Sequence, residues 1–216
     1  MKVGIIIPTR GDRQIFLSNC IRLIENQTLQ PWIIEIIDEA PKSDKCDITY
    51  RYRLGYDRLR NKNLDVIAFI EDDDWYANNY LETMCGHFEK KQRPKLLGLS
   101  HTIYYNLRVL KWYKMVHSQR SSAMNTLIRP DMNFKWSIDE DPYTDAYLWH
   151  HLKGEIIVPE KEICLGIKHG IGKCGGKLHT THMDLYKNND PEKKFLKEIV
   201  DNESFEFYNY AADFII

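Results

Sequence analysis

The apolar run Val66 to Ile70 passes without a break into Glu71-Asp72-Asp73-Asp74-Trp75, and this junction constrains the fold more than any other segment. A short continuous apolar run reads as a strand buried on both faces, as in a parallel sheet. Adjacent carboxylates repel one another and raise one another's pKa unless something positive sits among them. Acids at the carboxyl edge of a parallel sheet stand where open α/β folds take their ligands. An oxygen-only donor set selects a hard divalent ion, Mn²⁺ or Mg²⁺. The plainer alternative is a solvated acidic turn that caps the next helix through its N-terminal dipole.

Two further runs lie upstream. Val3 to Ile7 is stopped by Pro8 and Gly11, and Trp32 to Ile37 follows Pro31 and ends in Asp38-Glu39. Between them Phe16, Leu17, Cys20, Ile21 and Ile24 recur at helical spacing, and Tyr80, Leu81, Met84, Cys85 and Phe88 repeat that pattern in a helix predicted from near Asn78. Alternating strands and helices predict an α/β fold, Rossmann-like, with a mostly parallel sheet flanked by helices. The second half predicts a mixed, antiparallel part. Leu96 to Tyr105 and Val109 to Val116 read as a hairpin, a helix is predicted from near Pro142, and Glu162 to Ile167 is a short strand. Gly166 to Gly176 reads as a loop and Lys193 to Val200 as a helix, while Phe205 to Ile216 receives no assignment. The expected organisation is one domain over 1–216, with a ligand-binding half at 1–95 and a second half at 96–216.

At 216 residues the chain buries enough surface to fold without disulfides or a structural metal. No apolar run approaches the roughly 18 residues that span a bilayer, and the run after Lys2 is too short for a signal-peptide core, so a cytoplasmic protein is expected. The cysteines, Cys20, Cys46, Cys85, Cys164 and Cys174, are odd in number and lack a C-x-x-C pair, which fits reduced thiols.

The segments VGIIIPTRGDR, WIIEIIDE and VIAFIEDDDWY, in that order, resemble the successive nucleotide-sugar motifs of GT-A glycosyltransferases, in particular the family 2-like group. The resemblance covers about residues 1 to 90 and implies a donor that is a nucleoside-diphosphate sugar, a UDP-sugar first, and a Mn²⁺ or Mg²⁺ cofactor. It implies that the turn Pro8-Thr9-Arg10-Gly11-Asp12-Arg13 approaches the nucleotide, with Asp38 and Glu39 near the base and ribose. Arg60, from the basic aromatic stretch Tyr50 to Asn63, joins this donor-binding group. The Asp-x-Asp signature is implied to hold metal and diphosphate. Here Glu71 stands at its first position and Asp73 at its second, while Asp72-x-Asp74 satisfies it in another register. Asp73 is therefore the first metal ligand expected, with Glu71 and Asp74 beside it and Asp72 toward the cofactor.

An inverting transfer needs a base within reach of the acceptor hydroxyl. The family's acidic pair before a helix is similar in spacing to Thr144-Asp145 and in letters to Glu140-Asp141, so Asp145 is the expected base and Asp141 the reserve; helix capping is the plainer account of both. His169 resembles the family's late metal-shell histidine. A zinc reading of Cys164, His169, Cys174, His179 and His182 lacks the close ligand pairs of structural sites. Gly170, Gly172, Gly175 and Gly176 with Lys168, Lys173 and Lys177 read as a lid.

The net charge of -1 conceals a division. Lys90 to Pro130, 41 residues, contains nine cations and no acid, with Tyr104, Tyr105, Trp112 and Tyr113 interleaved. Scattering of those cations by strand alternation is the plain account; an anionic acceptor, a glycan or a hydroxymethylated DNA base, is the sharper one. Two rivals to a glycosyltransferase are a nucleotidyltransferase with the same acids and a non-catalytic nucleic-acid module.

Overall fold

The computed structural model describes residues 1–41, 43–171 and 183–214. The first part alternates β1 (Val3–Pro8), α1 (Gln14–Glu25), β2 (Ile33–Ile37), α2 (Ile48–Leu59), β3 (Val66–Phe69), β4 (Trp75–Tyr76) and α3 (Tyr80–Lys90). There follow β5 (Leu96–Leu99), β6 (His101–Asn106), β7 (Lys111–Val116), β8 (Thr126–Ile128), α4 (Thr144–Leu152), β9 (Glu155–Ile157) and β10 (Cys164–Lys168). After the undescribed segment come β11 (Asn188–Asn189), α5 (Lys194–Ile199) and α6 (Asn202–Phe214).

A six-stranded sheet runs in the order β2-β1-β3-β8-β5-β9. Its pairings are parallel except at β8, which is antiparallel to both β3 and β5. Strands from both halves of the chain thus share one sheet, and β1 and β3 at its centre are buried throughout. A five-stranded sheet, β11-β7-β6-β10-β4, holds the expected hairpin β6–β7. The sequence predicts one strand over Leu96 to Tyr105, but the chain changes sheets at Ser100. There the backbone N–H donates to the Ile157 carbonyl of β9 and the carbonyl accepts from His117 N–H just after β7, so this one residue passes the chain from one sheet to the other.

Helix α2 lies in the stretch the sequence left as merely basic and aromatic. Its buried face is Tyr52, Tyr56 and Leu59, with Gly55 between them, at helical spacing. Gly55 permits close approach to the sheet, because a Cβ there would lie 2.5 Å from Ile6 Cγ2. Tyr52 stacks on Phe69 of β3 with ring centroids 4.3 Å apart. Each fully buried aromatic of this kind stabilises the fold by about 1.5–3 kcal/mol. The unassigned C-terminal segment is α6, which buries Ser204, Tyr208 and Ala211.

Cys20, Cys85 and Cys164 are buried free thiols. Cys46 is disulfide-bonded, so the expectation of reduced thiols throughout is corrected at that position. Among the described residues no helix is long and apolar enough to cross a membrane.

Candidate active site

The ends of β1 and β3 open into a cavity of about 380 Å³ lined by Pro8, Thr9, Arg10, Arg13, Glu71, Asp72 and Asp73, and from the second half of the chain by Tyr104, Arg120, Thr144, Asp145 and Lys168 among others. The acids leaving β3 diverge. Glu71, Asp73 and Asp74 each bring a carboxylate oxygen to within 4.8 Å of one another. Asp72 turns instead toward Arg13, whose guanidinium donates to Asp72 Oδ1 and Asp73 Oδ2, both at 2.6 Å. Asp74 is fully buried; its Oδ1 accepts the Ile167 N–H at 2.7 Å, and its Oδ2 meets no partner.

Burial, Arg13 and Lys168 decide the electrostatics. Burial pushes Asp72 up to about 7 against the pull of Arg13. Burial likewise raises Glu71 and Asp74, with Lys168 opposing both. Burial acts upward on Asp73 too, but Arg13 and then His169 outweigh it and hold Asp73 well below the usual carboxylate range. Burial would lower Lys168, yet Asp74, Asp73 and Glu71 raise it overall, so it stays charged. Four carboxylates thus face two permanent cations, a deficit that a divalent ion would fill.

His169 is 2% exposed and stacks on Phe16 at 4.3 Å. Its Nδ1 accepts the Ile171 N–H at 3.2 Å, which leaves Nε2 to donate to Asp73 Oδ2 at 2.8 Å.

Arg51 is the residue that sequence reasoning missed. It is 1% exposed and donates to the carbonyls of Thr9, Ile37 (2.8 Å) and Glu39 (2.8 Å), and to Asp47 Oδ2 (2.9 Å). It therefore ties the ends of β1 and β2 together under the cavity. Asp47 also accepts from Arg10 at 2.8 Å, and Arg10 further donates to the Ser43 and Lys45 carbonyls, each at 3.0 Å. The i,i+4 spacing of Asp47 and Arg51 was the available signal. Asp38 and Glu39 do not line the cavity. The chain turns outward after edge strand β2, and Glu39 binds Arg58 at 2.5 Å and Tyr50 at 2.9 Å on the exposed side. Arg60 is also elsewhere. It follows α2, about 18 Å of helix beyond Asp47, lies over the Tyr56 ring at 5.4 Å and donates to the Met132 carbonyl.

In the same cavity, Asp145 occupies the first turn of α4 and makes a short ion pair with Arg120. Burial raises Asp145, and Arg120 opposes that rise most strongly. Asp141 is half-buried and does not line the cavity; its Oδ1 accepts the Tyr143 N–H at 2.9 Å in the turn before α4, whose N-cap position is Tyr143. The sequence reading of Cys174, His179 and His182 as zinc ligands, and of Gly172, Lys173, Gly175, Gly176 and Lys177 as a lid, lies outside the described residues.

The basic stretch is largely neutralised in space. Lys91 pairs with Glu155, Arg93 with Asp65 and Glu89, Lys114 with Glu162, Arg120 with Asp145 and Arg129 with Asp131. Tyr105 and Tyr113 are buried in the packing of the second sheet, and Trp112 stacks on Phe195 at 4.0 Å.

No protein-family model and no curated protein sequence matches the chain. Among solved structures, that of S. aureus TarS 1–349 in complex with UDP-GlcNAc, a GT-A-type glycosyltransferase, superimposes with a TM-score of 0.51 at 10% identity. The match covers 77% of this chain and 58% of that one. The same protein in complex with UDP gives 0.48 at 13% identity, over 77% and 60% of the two chains. The first of these shows the fold: the two-sheet α/β architecture is GT-A-like. The chain spans less than two thirds of the length of the structures it matches.

Proposed function

We propose, from the GT-A-like fold and its cavity, that the chain is a metal-dependent, inverting glycosyltransferase moving a sugar from a nucleoside-diphosphate sugar, a UDP-sugar first, to a hydroxyl acceptor. The observation that carries this reading is one cavity with an acidic group after β3 and an ion-paired carboxylate, Asp145, at the start of α4. UDP-GlcNAc is the ligand of the TarS 1–349 structure that shares the fold, which supports a UDP-sugar as the first donor to test.

The residues fit a divalent ion. Glu71, Asp73 and Asp74 form an all-oxygen set, and Asp74 Oδ2 is buried with no partner. These residues would hold Mn²⁺ or Mg²⁺, which when bound neutralises charge on a leaving diphosphate. Arg13 and His169 fix the orientation of Asp73. Pro8, Thr9, Arg10, Asp47, Ile48 and Arg51 line the side where the nucleoside would pack, with Arg51 and Asp47 fixing its walls. Asp145 would accept the proton of the acceptor hydroxyl as that oxygen forms its bond to the anomeric carbon, and the bond to the diphosphate breaks on the opposite face. Asp141, paired with a backbone amide outside the cavity, is the weaker choice for that role.

For the acceptor, Tyr104, Tyr113 and Tyr143 line the cavity from the second half of the chain and suit a sugar ring. A glycan hydroxyl is favoured over a hydroxymethylated DNA base, because five of the nine cations of the basic stretch are already paired with carboxylates. The test is turnover of a panel of nucleotide sugars with Mn²⁺ or Mg²⁺. Release of a nucleoside diphosphate supports the reading; pyrophosphate released from a nucleoside triphosphate would assign a nucleotidyltransferase instead.

A further inference from the structure

Arg120 belongs to none of the motifs that announce the site, being one cation among nine in an acid-free stretch, yet it makes the only ion pair of Asp145 among the described residues. It comes from the segment after β7, while Asp145 is the second residue of α4, so two parts of the fold meet across the cavity wall. The Asp145 side chain is 14% exposed and that of Arg120 39%. Arg120 Nη1 binds Asp145 Oδ2, and Nη2 rests against Met115 Sδ at 3.9 Å, which holds the guanidinium in place from its other side.

The surroundings of Asp145 are otherwise hostile to its charge. Asp141 precedes it, Glu71 faces it from the end of β3, and the hydroxyls of Tyr52 on α2 and Tyr104 on β6 lie near it. The backbone N–H groups of Asp145 and Ala146 at the start of α4 favour the anion, as does Arg120, the first of the favourable influences. Burial and Asp141 disfavour the Asp145 anion, Arg120 at ion-pair distance is the largest influence in its favour, and only an ionised acid accepts a proton.

We infer that Arg120 is a positioning residue that keeps Asp145 ionised and turned toward the cavity, so that the base proposed above is a two-residue device rather than a lone aspartate. The inference rests on that reading of Asp145. It assigns Arg120 to the base rather than to the acceptor.

Arg120→Gln removes the charge and leaves an amide donor on a shorter side chain, while Arg120→Lys keeps the charge. The first measurement needs no donor or acceptor: a carbon-detected NMR titration of the Asp145 carboxyl in the free protein. Arg120→Gln should raise its pKa by about 1–3 units, the range for losing an opposite charge at contact distance, and Arg120→Lys should restore most of that change. The second is the pH profile of kcat/KM. Because the base must be ionised, activity falls as pH drops through its pKa, so the acid limb of Arg120→Gln should move to higher pH by the same amount. An unmoved Asp145 titration overturns the inference. So does an unmoved acid limb with a raised acceptor KM, which would make Arg120 an acceptor contact. If the wild type turns over no nucleotide sugar, the proposed function fails, and the titration still decides what Arg120 does to Asp145.

Discussion

Thr144 precedes Asp145, is 2% exposed, lines the cavity, and its Oγ1 meets no hydrogen-bond partner. A buried hydroxyl left unpaired costs about 1–3 kcal/mol. Thr144→Val keeps the shape and removes that cost, so the free protein should gain roughly 1 kcal/mol in urea denaturation. If a ligand hydroxyl satisfies Oγ1, the same variant should lose affinity for donor or acceptor. Asp73 behaves oppositely. It accepts from Arg13 and His169 in a buried setting, so Asp73→Asn should cost about 3–5 kcal/mol of stability in urea denaturation as well as metal binding, since breaking a buried pair strands its partner. Its loss of activity alone therefore cannot be read as loss of a metal ligand, and metal affinity must be measured directly on the wild type.

Helix α2 meets the central sheet through Gly55, and Gly55→Ala would press a methyl group into the branched side chain of Ile6. The expected cost is about 1–3 kcal/mol, read as a lower urea midpoint with an unchanged slope. The hairpin β6–β7 offers a pH test. His117 follows β7, and its Nε2 lies 3.2 Å from both Thr102 Oγ1 and Ser122 Oγ. Burial, then Arg120 and His101, lowers it from 6.5 to about 4. Between those values the unfolded chain binds a proton that the folded one does not, so stability falls as pH drops through this window. The urea midpoint should decline on acidification from neutrality toward pH 4, and the decline should be smaller in His117→Gln. These elements also mark what the sequence made legible. Strands β1 and β3 and helices α1 and α3 were readable because each has one unbroken apolar run or one helical stripe. Helix α2 was not, because its buried face is tyrosines and glycine among arginines, a pattern that reads as polar. The break at Ser100 was hidden because a single residue separates β5 from β6, and only their pairing to different sheets tells them apart.

At the scale of the molecule, the chain folds its acids and its cations onto one another. The sum of -1 results from a basic stretch whose charges meet carboxylates from other segments, and from an acidic group answered in part by Arg13 and Lys168. The acidic group, the Pro8–Arg13 turn and Asp145 were legible because they stand at strand and helix ends with short spacings. Arg51, Asp47 and the Arg120–Asp145 pair were not, since each acts through a partner that only the packing of distant segments supplies. Asp38, Glu39 and Arg60 do not line this cavity, because a motif gives a position along the chain, and the packing after an edge strand or the length of a helix decides where it lies.

On the proposed function, the cavity takes a nucleoside diphosphate through a divalent ion held by Glu71, Asp73 and Asp74. Thermal unfolding of the wild-type protein with UDP, in Mn²⁺ and separately in EDTA, tests it without knowledge of sugar or acceptor. UDP at about 100 times its Kd should stabilise the folded state by about 2.7 kcal/mol in Mn²⁺ and by little or nothing in EDTA. An unfolding temperature unmoved by UDP in Mn²⁺, or raised equally with and without the ion, would contradict it.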